Sequence, residues 1–329
     1  MMDKAPSISV LMSVYKEPVD WLRQSIDSIL TQSYQDFEFI IICDNPTYNE
    51  GISVLSEYAH KDSRVKIIKN DSNIGLTRSL NKGLSVAKGM YIARMDADDV
   101  SCPDRFKHQV EVLNGRSRCL CHTGKIYINE NNIETKVDVA NEEIDYSLLF
   151  LRNIIAHPTV MFTADLLSLR GKLYNEDYKR GQDYELWTYL FLNNVDFEYI
   201  PQPLLLYRES EIQISRKHVG EQWLNSQQIR SQFVINYLNR TGIPLPELGL
   251  KNARKKIIAQ ISQADRLVSE SLGRILYLVD FTIASSLFFN IFFYYKDKSL
   301  FRKMPSQYTK MIWQSALNIK DYPYLILNY

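Results

Sequence analysis

The chain has 329 residues, 45% of them hydrophobic and 23% charged, with a formal net charge of +1. That length supports one large α/β domain or a domain with an appendage, and the near-even charge leaves no global field to draw a nucleic acid. With 12 glycines, 11 prolines and no low-complexity tract, the composition is that of a folded globular protein.

Ile8 to Tyr15 reads as a buried parallel strand, apolar on both faces. Glu17-Pro18 then opens a helix whose Trp21, Leu22, Ile26, Ile29 and Leu30 share one stripe. A second buried strand, Phe37 to Cys43, stops at the turn signal Asp44-Asn45-Pro46. A helix over 52–60, a strand over 65–69 and a helix over 76–88 closed by Gly89 follow. Tyr91 to Met95 is the fourth strand. This alternation predicts a doubly wound, Rossmann-like, mostly parallel sheet flanked by helices.

Ligands of such sheets lie outside the carboxyl ends of the strands. Tyr15 and Glu17, Asp44, and the acids after Met95 all fall at those ends. No G-x-G-x-x-G and no G-x-x-x-x-G-K-[ST] is present, so neither a dinucleotide site nor a P-loop is indicated.

From 103 to 215 the pattern is mixed: a helix over 103–114, strands over 119–129, a helix over 142–151 and a returning strand over 157–162. A helix over 182–193 carries Asp183, Leu186, Trp187 and Leu190, and 196–200 is a last short strand. Cys119 and Cys121 precede His122, but no second pair stands at metal-ligand spacing, so they read as alternating strand residues. Four cysteines fit a reducing compartment, and the first residues lack the apolar core of a secretory signal.

The densest chemistry is Met95-Asp96-Ala97-Asp98-Asp99, where an apolar strand ends in three carboxylates within four residues. Like charges this close repel, and burying them is costly. A hard divalent cation carrying a phosphate ligand is the natural partner. For Asp99 the alternative is a cap on the helix that opens near Pro103.

Taken in order, SVLMSVYKE, DSILTQSY, IIICDN, Asn73-x-Gly75-Leu76, Leu80-Asn81-x-Gly83-Leu84, YIARMDADD, Pro103-x-Arg105-Phe106, HPTVMF and GQDYELW resemble the motifs of family 2 glycosyltransferases. The resemblance covers about residues 7–215 and implies the GT-A fold and inverting transfer from a nucleotide-sugar, UDP-linked in the reading taken here. It implies that Asp96-Ala97-Asp98 is a D-x-D element holding Mn²⁺ or Mg²⁺ on the donor diphosphate. Asp98 would ligate directly, and Asp96 would contact the metal, its water or the ribose. Asp44 would accept from the base N3–H, while Tyr15, Glu17 and Asn73 would line the nucleotide pocket and Arg208 would reach the diphosphate. Asp183 would be the base that deprotonates the acceptor hydroxyl. His157 reads as a core or acceptor-side residue. Cys43 stands where many relatives carry an acid, and Gln182 where they carry Glu, which leaves the donor and the role of the first acid open.

These expectations divide the chain into a GT-A domain over 1–215 and a helical C-terminal region over 216–329. The first comprises a nucleotide-binding half (1–100) and an acceptor-binding half (101–215). Residues 276–295 are the most apolar stretch, but Asp280 and Asn290 argue against a span. With Lys296, Lys298, Arg302 and Lys303 after it, the stretch reads as a packed or dimer-forming helix, or as an interfacial anchor over 276–303. By analogy with bacterial capsule, O-antigen and exopolysaccharide assembly, the acceptor would be a saccharide on a polyprenyl diphosphate at the inner face of the cytoplasmic membrane. The rival readings are a nucleotidyltransferase, for which the chain after the first strand lacks a Gly-rich phosphate loop, and an inactive sugar-binding protein.

Overall fold

The computed structural model describes residues 5–140, 143–210 and 219–243, with a few single positions between 256 and 275. The expected apolar helix over 276–295 and the basic segment after it lie outside the described residues. The chain divides into two compact units, Met1–Ile144 with Ile155–Gln222, and Asp145–Ile154 with the residues from Trp223 on.

The first unit is built on β1 (Ile8–Val14), which lies between β2 (Phe37–Cys43) and β4 (Tyr91–Asp96) and is parallel to both. β3 (Val65–Lys69) extends the parallel set beside β2. The crossovers are α1 (Val19–Leu30), α2 (Asn49–Lys61) and α3 (Leu76–Leu84). β1 and β2 are apolar along almost their whole length because helices cover both faces, and every residue of β2 is buried. Leu22, Ile26 and Ile29 of α1 pack into the same core as Val10, Met12, Phe39 and Ile41.

The remaining strands are β5 (Val100–Ser101), β6 (Cys119–Ile128), β7 (Glu134–Asp138), β8 (Met161–Thr163) and β9 (Asp196–Arg208). With α4 (Arg105–Leu113) and α5 (Gln182–Leu192) they complete a sheet of order β3-β2-β1-β4-β8-β6-β9-β5, from which β7 hangs on β6. β8 runs antiparallel to β4 and to β6, whereas β6 and β9 are parallel. The sheet is thus parallel on the side of β1 to β4 and mixed beyond it.

Several elements depart from expectation. α3 ends at Leu84, and Gly89 is not its cap. A Cβ on Gly89 would lie 2.6 Å from the carbonyl carbon of Ile8 and 2.9 Å from Tyr91 O, so glycine is required by the approach of β1 to β4. The strand expected over 157–162 is a 3₁₀ turn, His157–Thr159, followed by the three residues of β8. Pro158 has no N–H to give a ladder. The expected helix over 142–151 is a 3₁₀ turn, Tyr146–Phe150, whose first turn is held by Asp145 accepting from Ser147 N at 2.9 Å.

β9 does not stop at Ile200 but runs on to Arg208, through Pro201 and Pro203, by shifting its register against β6 around Gly124. There a Cβ would meet Asp138 O at 3.0 Å and Gln202 O at 3.1 Å, so three strands close on a position only glycine fits. The last helix is α6 (Val219–Arg240); within the second unit its Phe233 ring stacks on Phe150 at 4.1 Å between centroids.

Candidate active site

β4 delivers the acid run to the carboxyl edge of the sheet. Ser25 of α1 donates to Asp96 O at 2.8 Å, which ends the strand at that residue. Two residues earlier, the guanidinium of Arg94 pairs with the Asp96 carboxylate. Asp98 is half-buried, and desolvation, then the charges of Asp96 and Glu17, push its carboxyl up to about 7. Asp99 is only 1% exposed, and burial and its two acidic neighbours hold it well above the usual carboxylate range.

Asp99 does not cap a helix: α4 begins at Arg105 with Asp104 at the cap position and no side-chain cap bond. Instead Asp99 Oδ1 accepts from the main-chain N–H of Arg208 at 2.8 Å. That bond and the β5–β9 pairing, Val100 opposite Leu206, tie the acid turn to the far strand of the sheet.

Arg208 was expected to reach a diphosphate. Its side chain is fully buried and donates from Nε to Asp98 O at 2.7 Å, from Nη1 to Asn129 O at 3.2 Å and from Nη2 to Gln24 Oε1 at 2.9 Å. Its guanidinium also lies 4.8 Å from the centre of the Trp21 ring. These four contacts make it a clamp on the acid turn.

The other residues expected to bind nucleotide line the ends of β1 to β3. Glu17 Oε2 accepts from Tyr15 N at 2.8 Å, Tyr48 Oη donates to Glu17 O, and burial raises the Glu17 carboxyl with a further push from Asp96. Tyr15 is half-buried beside it, with Lys16 Nζ 5.2 Å from its ring centre. Asp44, 3% exposed, accepts from Asn70 Nδ2 and Ile74 N at Oδ1 and from Gly75 N at Oδ2, each at 2.8 Å. Its carboxylate therefore organises the loop between β3 and α3. Asn73, exposed on that loop, accepts from Gly75 N at 3.0 Å, and Gly75 takes φ +86° to start α3.

Asp183 is half-buried in the first turn of α5, after Gly181 in a left-handed conformation. Tyr174 is fully buried, and burial, with smaller pushes from Asp183 and Asp96, holds its phenol far above its ordinary value. Tyr174 Oη lies 2.8 Å from His157 Nε2. His157 also packs edge-on against Trp187, one helical turn beyond Asp183, at 5.9 Å between ring centres. Burial, and then Arg94, hold His157 neutral, which makes it a core residue of the site floor. Sequence reasoning missed Arg94, Tyr174 and Gln24. Arg94 alone carried a usable signal, a charge inside an otherwise apolar strand.

Among the described residues, no group of three or more His, Cys, Asp and Glu could hold a metal ion by itself. Asp96 and Asp98 still offer hard carboxylate oxygens, and burial, with the charges of Asp96 and Glu17 added, makes a lone anion at Asp98 costly. Such a pair fits a cation whose other ligands are substrate phosphates and water. Cys119 and Cys121, buried in β6, have thiols raised by burial, and none of the four cysteines is disulfide-bonded. No helix among the described residues is long and apolar enough to cross a membrane.

The model of the family "Glycosyl transferase family 2" matches residues 9–170. An uncharacterized glycosyltransferase of Methanocaldococcus jannaschii, MJ1057, is 38% identical over 63% of this chain and 72% of its own. The chain belongs to glycosyl transferase family 2. A second relative, the O-antigen biosynthesis glycosyltransferase WbnJ of Escherichia coli, is 36% identical over 61% of this chain and 79% of its own. The S. aureus TarS 1-349 structure in complex with UDP-GlcNAc covers 84% of this chain and 91% of its own, at a TM-score of 0.55 and 14% identity. That likeness shows the GT-A fold of this family 2 glycosyltransferase: a curled, mostly parallel sheet flanked by helices.

Proposed function

We propose that this family 2 glycosyltransferase moves a hexose from a UDP-sugar to a saccharide hydroxyl, with inversion and with the help of Mn²⁺ or Mg²⁺. The observation that carries the reading is the acid turn, which gathers Asp96 and Asp98 beside Glu17 at the carboxyl ends of β4 and β1. Asp96 and Asp98 would hold the cation, which when bound neutralises charge on the departing diphosphate. Tyr15, Glu17 and the loop ordered by Asp44 would frame the nucleotide.

Asp183 takes the proton of the acceptor hydroxyl as its oxygen attacks the anomeric carbon from the face opposite the diphosphate. The bond from that carbon to the diphosphate oxygen breaks, and its electron pair leaves with UDP. A carboxylate in the first turn of a helix stays ionised, as a base must, at some loss of basicity. Similarity to the O-antigen biosynthesis glycosyltransferase WbnJ supports a saccharide acceptor of the surface-polysaccharide type; the carrier in this proposal is a polyprenyl diphosphate.

The test uses purified full-length protein with UDP-Glc, UDP-Gal, UDP-GlcNAc and UDP-GalNAc, each with Mn²⁺ or with EDTA. Binding is read by calorimetry and UDP release by a coupled assay. One sugar nucleotide should bind and release UDP in Mn²⁺ and lose both in EDTA. Equal behaviour in EDTA removes the metal from the reading, and failure of all four to bind removes the UDP donor.

A further inference from the structure

We propose that Arg94 is a positioning residue that fixes Asp96 for the donor, an inference that rests on reading Asp96 as part of the donor site. Arg94 sits inside β4, 1% exposed, between Ala93 and Met95, which are both fully buried. Residues two apart on a strand share a face, and the Arg94 guanidinium reaches along that face to pair with Asp96 through Nη2 and Oδ1. Asp96 Oδ1 is thereby held, while the Asp96 side chain as a whole keeps 31% of its exposure and can present Oδ2.

The backbone of Arg94 is equally constrained. Its N–H donates to Val160 O at 3.0 Å, and its carbonyl accepts from the buried Arg105 Nη2 at 2.7 Å. The strand position from which the side chain departs is therefore fixed.

Stability does not explain this side chain. Nε and Nη1 of Arg94 are buried with no acceptor, and an unpaired buried N–H opposes folding. An apolar residue of similar length would remove both orphan donors, and the Asp96 carboxylate left behind is open enough to hydrate. Placement gives the functional alternative. The charge of Arg94 acts on His157 and Tyr174, and Tyr174 feels both Asp96 and Asp183. Arg94 is thus near enough to act on His157 and Tyr174 as well as to pair with Asp96. There it sets the orientation of one carboxylate at a cost to the fold, as residues kept for function do.

Four variants test the assignment: Arg94→Met, Arg94→Lys, Asp96→Asn and the double Arg94→Met/Asp96→Asn. UDP affinity is measured by calorimetry in Mn²⁺, and Tm by scanning calorimetry. If Arg94 acts through Asp96, Arg94→Met and Asp96→Asn each weaken UDP binding about tenfold or more. The double variant is then no weaker than the poorer single, and Arg94→Lys recovers part of the loss. Tm of Arg94→Met stays at or above that of the parent. Multiplicative losses in the double variant, parental affinity in Arg94→Met, or a Tm several degrees lower for Arg94→Met each overturn the inference while leaving the donor site intact. If the parent protein itself does not bind UDP, the donor-site reading fails and takes this inference with it.

Discussion

The main-chain N–H of Arg208 donates to Asp99 Oδ1 at 2.8 Å, across 109 positions of sequence. The bond fastens the acid turn to β9, and the other Asp99 oxygen, Oδ2, is buried with no partner. Burial and its acidic neighbours hold this carboxyl well above its ordinary range, which favours the protonated form. Asp99→Asn keeps an acceptor for Arg208 and adds no charge, so its unfolding free energy should stay within about 1 kcal/mol of the parent. Asp99→Ala strands the Arg208 N–H and should cost about 1–3 kcal/mol. Urea denaturation of the pair separates an anionic from a neutral Asp99, because an anionic Asp99 predicts a large loss for Asn as well.

Asp183→Asn should leave UDP affinity within about twofold while kcat falls by roughly 10²–10⁴, the usual contribution of a positioned general base. Calorimetry and single-turnover transfer give the two numbers. Parental turnover in this variant would move the base elsewhere.

Two buried histidines predict an acid-linked loss of stability. Burial and then Lys125 depress His122 to about 3, and burial and then Arg94 hold His157 well below its ordinary value. Between the folded and unfolded pKa values the unfolded chain binds the extra proton. Each group's contribution is therefore whole above about pH 6.5 and falls by about 1.4 kcal/mol per pH unit as pH drops. Asp98 and Asp99 act with the opposite sign, since the fold keeps protons that the unfolded chain releases. The measurement is thus a difference: between pH 6.5 and 4.5, unfolding free energy of His122→Asn should decline less steeply than that of the parent. Identical slopes would mean that His122 is protonated in the fold.

Gly89→Ala should cost about 1–3 kcal/mol, as overpacking does, because the new methyl would meet the backbone of both Ile8 and Tyr91. Ser85→Ala, on the exposed end of α3, is the control and should change stability by less than about 0.5 kcal/mol. The comparison is made by urea titration.

Legibility followed the length of the local signal. The runs of β1 and β2 are continuous and apolar because both faces are covered, and that pattern sits in the sequence itself. β9 was truncated in the reading because Pro201 and Pro203 normally end a strand, and the register shift that carries it past them depends on Gly124 of another strand. The acid run was visible as chemistry, but the division of labour among its members was not. Which acid pairs with a cation and which is enclosed depends on Arg94 and on burial, and Arg208 becomes a clamp only through Asn129 and Gln24, far away in sequence. Asp44 shows the same limit, since its partners Asn70, Ile74 and Gly75 belong to a different loop.

The order of the sheet bears on how the protein behaves when concentrated. Among the described residues it terminates in β3, whose Lys66 and Lys69 are exposed, and in β5, which has only two residues. The branch strand β7 presents Glu134 and Lys136 to solvent. Short or charged margins of this kind resist the addition of a foreign strand. Copies of the first unit are thereby kept from joining edge to edge into continuous ribbons, a safeguard for an enzyme with so apolar a central sheet.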